Sequence, residues 1–142
     1  MPELVRTALV NKPPAVLYGL VNDVRAYPQF VPGCTGVEVI SESASEIVVC
    51  LAVRRGLLHT HLTTRNRLEP VSAVHMELVE GPLKQLTGRW SLTPVGQNGC
   101  RIELKLKFQF SNPIKAALIE PLIQDIASAM VTAFVARAQQ LP

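Results

Sequence analysis

The chain has 142 residues, 48% of them hydrophobic and 18% charged, with a formal net charge of +3. That length suits one domain with its own core, and the composition excludes a disordered, collagen-like or disulfide-stapled chain. Charge is unevenly spread: residues 1–53 carry three Lys/Arg against five Asp/Glu, whereas residues 54–107 carry nine against four.

Residues Met1 to Lys12 include Glu3, Arg6, Asn11 and Lys12, which break up the apolar run an export signal needs. Weak alternation predicts a first strand over Glu3 to Val10, stopped by Asn11-Lys12-Pro13-Pro14. Pro14 opens a short helix, with Val16, Leu17, Leu20, Val21 and Val24 at three- and four-residue spacing through Arg25. Two prolines and a glycine make Tyr27 to Cys34 a predicted rigid, partly apolar loop.

From Gly36 the period changes to two. Strands are predicted over Val37–Ile40, Glu46–Val53, Leu58–Leu68, Val74–Val79 and Leu86–Thr93, and over Cys100–Phe110, where the alternation is clearest. The short links between them imply antiparallel neighbours. Ser111-Asn112-Pro113 caps a long last helix that runs to about Gln140, with a kink expected at Pro121. Its row Ile114, Leu118, Leu122, Ile126, Met130, Phe134 and the next row beginning at Ile119 and Ile123 are too apolar for one covered face. The longest helix-like apolar stretch, Ile126–Ala136 between Asp125 and Arg137, is 11 residues, against the roughly 20 that span a bilayer. Cys34, Cys50 and Cys100 form no C-x-x-C pair and read as reduced thiols, which suggests a cytoplasmic protein.

This order is α+β: a curved antiparallel sheet of about seven strands, whose dry face only the long C-terminal helix can cover, in a single domain over residues 1–142. A gap between curved sheet and helix suits an apolar ligand.

Three segments carry a resemblance: Leu20 to Cys34, with Tyr27-Pro28-Gln29-Phe30-Val31-Pro32-Gly33-Cys34 at its centre; Thr63-Thr64-Arg65-Asn66; and Gly81 to Trp90. Over essentially its whole length the chain resembles the START-like coenzyme Q-binding family. The bacterial branch of that family is also described as the ribosome-association toxin, and older usage as an oligoketide cyclase or lipid-transport protein. Leu83 departs from the phenylalanine expected there. The resemblance implies a helix-grip fold and a hydrophobic cavity for ubiquinone or its polyprenyl tail, with no cofactor required.

Eleven residues are candidates for that cavity. Thr60, Thr64 and Asn66 share strand parity with Leu58 and Leu62, so they bond either neighbouring backbone or a ligand carbonyl and ordered water. Met76, Leu78 and Trp90 have core parity, with Trp90 either filling the core or forming a stacking wall. Tyr27, Phe30 and Val31 are read as a lid over the mouth, the alternative being a staple between helix and sheet. Met130 and Phe134 are either plain core or ligand contacts. His59 and His61 share a face but lack a third ligand, so no metal site is predicted. Glu80 has inward parity but no base or nucleophile beside it, so no catalytic residue is predicted and the protein is read as not an enzyme.

On the opposite parity, Arg65, Arg67, Arg89, Arg101, Lys105 and Lys107 make a wet, basic side. If their strands are neighbours, these cations suit ribosomal RNA phosphates or an anionic membrane surface. Two functions from different classes follow. One is a carrier or chaperone of a quinone-like polyisoprenoid lipid that supports respiration, placed in the cytoplasm or peripherally at the inner membrane face. The other is a translation inhibitor that binds the large ribosomal subunit and blocks subunit association.

Overall fold

A computed structural model describes residues 2–141. Strand β1 (Glu3–Val10) leads into helix α1 (Pro14–Asn22), a 3₁₀ turn (Val24–Ala26) and a one-turn helix α2 (Tyr27–Phe30). Strands β2 (Cys34–Glu42), β3 (Glu46–Arg55), β4 (Leu58–Glu69), β5 (Ala73–Glu80), β6 (Gln85–Val95) and β7 (Gly99–Gln109) follow, and helix α3 (Pro113–Gln139) ends the fold. The expected elements all form, most strands extending one to three residues beyond the predicted ends. Two segments differ: the first helix, expected through Arg25, ends at Asn22 and is followed by the separate 3₁₀ turn, and Tyr27–Phe30 is helical rather than loop, because Pro28 sits in the first turn, where its missing N–H has no helical partner to lose.

The seven strands pair antiparallel in the order β1-β7-β6-β5-β4-β3-β2, so the first strand closes beside the last. Register shifts between Cys34 and Gly36, between Val39 and Ser41, and between Thr63 and Thr64 insert extra residues on one side of a ladder. Such bulges bend the strands that carry them and increase their twist, which curves the sheet toward α3.

Helix α3 starts as its sequence predicts. Asn112 is extended and its Oδ1 accepts a hydrogen bond from the Lys115 backbone N–H at 2.8 Å, with Pro113 in the first turn. The helix continues through Pro121 to Gln139. It packs against β1, β7 and α1, and α1 packs in turn on β6 and β7. The core therefore sits at one side of the sheet, around Leu17, Trp90, Ile102, Phe108 and Phe134. A space is left between α3 and the middle strands.

Candidate functional site

That space is a cavity of about 150 Å³. Along β4 it is lined by every second residue, Leu58, Thr60, Leu62, Thr64 and Asn66. The eight steps from Leu58 to Asn66 span about 26 Å of strand, so the cavity is a narrow channel rather than a round pocket. Its roof is the first half of α3, through Ile119, Ile123 and Ile126. Gly88 sits on β6 between two of the lining residues, Met76 and Leu106, whose side-chain tips would have to shift if it carried a side chain. A Cβ there would come within 2.7 Å of both the Leu106 and the Met76 side chains, closer than packed atoms approach.

Of the eleven candidates, Tyr27, Val31, Thr60, Thr64, Asn66, Met76, Trp90 and Met130 line the channel. Phe30, Leu78 and Phe134 do not. Phe134 is fully buried, with its ring edge-on to Tyr27, Phe30 and Trp90 at 5.5, 5.5 and 5.1 Å. This aromatic cluster joins α2, β6 and α3. Phe30 completes it beneath the Arg137 guanidinium, 5.1 Å from the ring centre. The Tyr27 hydroxyl donates to the Val21 carbonyl, and burial pushes its pKa well above the usual tyrosine range. Tyr27 and Phe30 thus form a staple rather than a lid. Leu78 packs near Leu62 under the Gly81 turn. Trp90 both fills the core and walls the channel.

The channel carries no Asp, Glu, His, Lys or Arg among its lining residues. Thr64 and Asn66 are buried, and the Thr64 hydroxyl donates to Asn66 Oδ1 at 2.9 Å. Asn66 acts only as acceptor in that bond, so its two amide hydrogens remain for a partner. Cys34 also lines the channel, its thiol held neutral by burial, which raises its pKa. Glu80 lies exposed, displaced from inward parity by the register shift opposite Thr63 and Thr64. His59 and His61 are exposed too. The apolar lining from Val49, Leu51, Leu104, Leu106, Ile119 and Ile123 was visible in sequence only as core parity.

On the outer face, Arg65, Arg67, Arg89, Arg101, Lys105 and Lys107 are all exposed. Register places Arg67 opposite His75, His75 opposite Arg89, and Arg89 opposite Lys105. Four basic side chains therefore form one row across four adjacent strands, about 14 Å long. Lys105 and Lys107 reach Glu3 at 3.5 and 3.8 Å, and Arg65 reaches Glu46 at 3.1 Å. Among the described residues Arg67 and Arg89 have no such partner. His75 hydrogen-bonds Glu69 at 2.9 Å and, with Arg89 nearby, holds that carboxyl below the usual range. Arg101 sits apart, opposite Thr93 and Leu9.

Comparisons with known proteins agree with this architecture. Residues 10–135 match the family described as polyketide cyclase / dehydrase and lipid transport. The Persistence and stress-resistance toxin PasT of Escherichia coli O6:H1 is 39% identical over 141 residues, covering 99% of this chain and 89% of that protein. The Ribosome association toxin RatA of Pseudomonas aeruginosa is 40% identical over 136 residues, covering 96% and 94%. Among solved structures, the Zhui aromatase/cyclase superposes with a TM-score of 0.91 at 18% identity, covering 98% of this chain and 94% of that one. The fold, the cavity under α3 and the matched sequence lead to one assignment: this chain belongs to the polyketide cyclase/dehydrase and lipid transport family.

Proposed function

We propose that the protein binds a neutral, carbonyl-bearing lipid of the quinone and polyisoprenoid class, ubiquinone being the prime candidate, and acts as its carrier rather than its catalyst. The observation that carries this reading is a channel without charged side chains whose buried polar pair, Thr64 and Asn66, has amide hydrogens to offer a carbonyl oxygen. The channel volume is comparable to that of a cavity that holds one benzene ring, which suits a single quinone ring, its tail lying outside this volume. The fold is shared with an aromatase/cyclase. Proton transfer, however, needs a positioned acid or base, and the ionisable lining groups here are Tyr27, whose hydroxyl is engaged by a carbonyl, and the neutral Cys34.

The test is titration with a short-chain, water-soluble quinone. Replacing the polar pair together (Thr64→Val, Asn66→Leu) removes both partners of a buried hydrogen bond, so stability changes little. Quinone affinity should fall about tenfold or more, the loss of one good hydrogen bond. Unchanged affinity in the double variant would overturn this placement of the headgroup. Mass spectrometry of lipid extracted from protein purified from its own host identifies the ligand.

A second reading, association with the large ribosomal subunit in the cytoplasm, is favoured by the row Arg67, His75, Arg89, Lys105 and by the names of the relatives. Like charges directly opposite across a ladder are destabilising, so Arg89 facing Lys105 is a costly pairing, to which an anionic partner would add relief beyond that of Glu3 beside Lys105 and Glu69 near Arg89. Reversing Arg67, Arg89 and Lys105 to Glu should abolish cosedimentation with ribosomes, and raising salt should weaken the parent chain's binding steeply. Binding indifferent to both would remove the row from this role.

A further inference from the structure

The two ends of the channel differ in a way that neither reading above uses. Antiparallel pairing brings the start of β2, the β3–β4 hairpin, the β5–β6 turn and the start of α3 to the same end of the sheet. Pro32, Gly33, Leu58, Pro82, Leu83 and Ile119 line the channel there, so this end is its mouth. Around that mouth stand the two most exposed large apolar side chains of the described residues, Leu57 at 105% and Ile114 at 74%, with Leu118 at 68%. Leu57 is held out by a stiff element. Gly56 adopts a left-handed φ of 58° in a two-residue hairpin loop, and the Arg54 N–H donates to the Gly33 carbonyl at 2.8 Å.

Between these apolar tips lie Arg54, Arg55, Lys84 and Lys115, none in an ion pair among the described residues. The acidic residues at this end are Glu80 and Glu120, with Glu3 already engaged by Lys105 and Lys107. The far end of the strands carries Glu42, Glu46 and Glu69, engaged by Arg25, Arg65 and His75 respectively, and there Arg101, opposite the exposed Leu9, stands without the neighbouring cations that the mouth has. Free positive charge and exposed apolar side chains thus coincide at the mouth.

We propose that the mouth is a docking surface for an anionic phospholipid bilayer. Apolar tips on separate loops and a helix, each beside a cation, match the headgroup layer, where apolar side chains enter the boundary and Lys/Arg meet lipid phosphates. A protein partner would be better served by one contiguous apolar patch. Docked mouth-first, the channel opens onto the bilayer, and a lipid passes between the two with its tail never crossing water. This last step rests on the carrier reading; the docking itself does not.

Flotation of the full chain with vesicles tests it. Binding is expected to phosphatidylcholine vesicles containing about 30% phosphatidylglycerol, and not to phosphatidylcholine alone, with release in roughly 0.5 M salt. The double variants Leu57→Asp/Leu118→Asp and Arg54→Glu/Arg55→Glu should each weaken vesicle binding on the order of tenfold or more, with melting little changed because Arg54, Leu57 and Leu118 are exposed and Arg55 is only half-buried. Both should still bind short-chain quinone, whereas Thr64→Val/Asn66→Leu should lose quinone and still float. Vesicle binding without quinone binding in the parent chain would overturn the carrier reading and leave docking in place. No binding to anionic vesicles would overturn docking. So would binding that survives the mouth variants but disappears with Arg89→Glu/Lys105→Glu, which would place the lipid contact on the convex face.

Discussion

The two halves of α3 are both mostly apolar and have opposite roles. From Ala127 to Ala138 the helix buries Ala127, Val131, Phe134 and Ala138 against β1, β7, α1 and the aromatic cluster. From Pro113 to Ile126 it buries no residue fully: Ile119, Ile123 and Ile126 roof the channel, while Ile114 and Leu118 face solvent. An apolar helix residue therefore has three fates here, as core, as channel lining and as exposed tip. Hydrophobicity alone does not separate them. Only the first contributes the full transfer and packing energy of a buried side chain.

Removing residues 121–142 tests the difference most severely. The chain would lose all four buried α3 residues and the cover of β1 and β7, so no soluble, cooperatively melting product is expected. A folded truncation product would contradict the architecture. Phe134→Ala, which empties the centre of the cluster, should cost about 3–5 kcal/mol in denaturant unfolding.

Met130→Trp lies at the junction, where the side chain lines the channel. It should cost about 1–3 kcal/mol, as overpacking does, and lower quinone affinity more than tenfold. Ala133→Trp, off the channel lining, should leave that affinity unchanged. If Met130→Trp unfolds the protein or binds quinone normally, the boundary between core and channel lies elsewhere. The smallest effect is expected at Ile114→Gln, whose side chain is largely in water. Stability should change by no more than about 0.5 kcal/mol. A larger loss would mean that the first half of α3 is packed after all.

Much of this was legible in the sequence because it depends on near neighbours. Period-two alternation from Cys100 to Phe110 makes a strand with one dry face, whatever it pairs with. Asn112 and Pro113 start α3 through a cap and a preset φ, both complete within one turn. Parity likewise put Thr60, Thr64 and Asn66 on the inner face, where they line the channel. The Tyr27 to Cys34 motif and its companions carried the family.

What tertiary structure alone decided depends on partners far apart in the chain. Parity sorts residues between two faces but says nothing of register, so the meeting of Arg67, His75, Arg89 and Lys105 in one row depended on three separate ladders. Phe134 and Met130 are one helical turn apart and equally apolar; only the positions of Tyr27, Phe30 and Trp90 make the first core and leave the second beside open space. A cavity is a region that side chains from distant segments fail to fill, and no local pattern encodes that failure. The same holds for the mouth, where residues from the β3–β4 hairpin to the start of α3 meet only because antiparallel pairing folds their strand ends together.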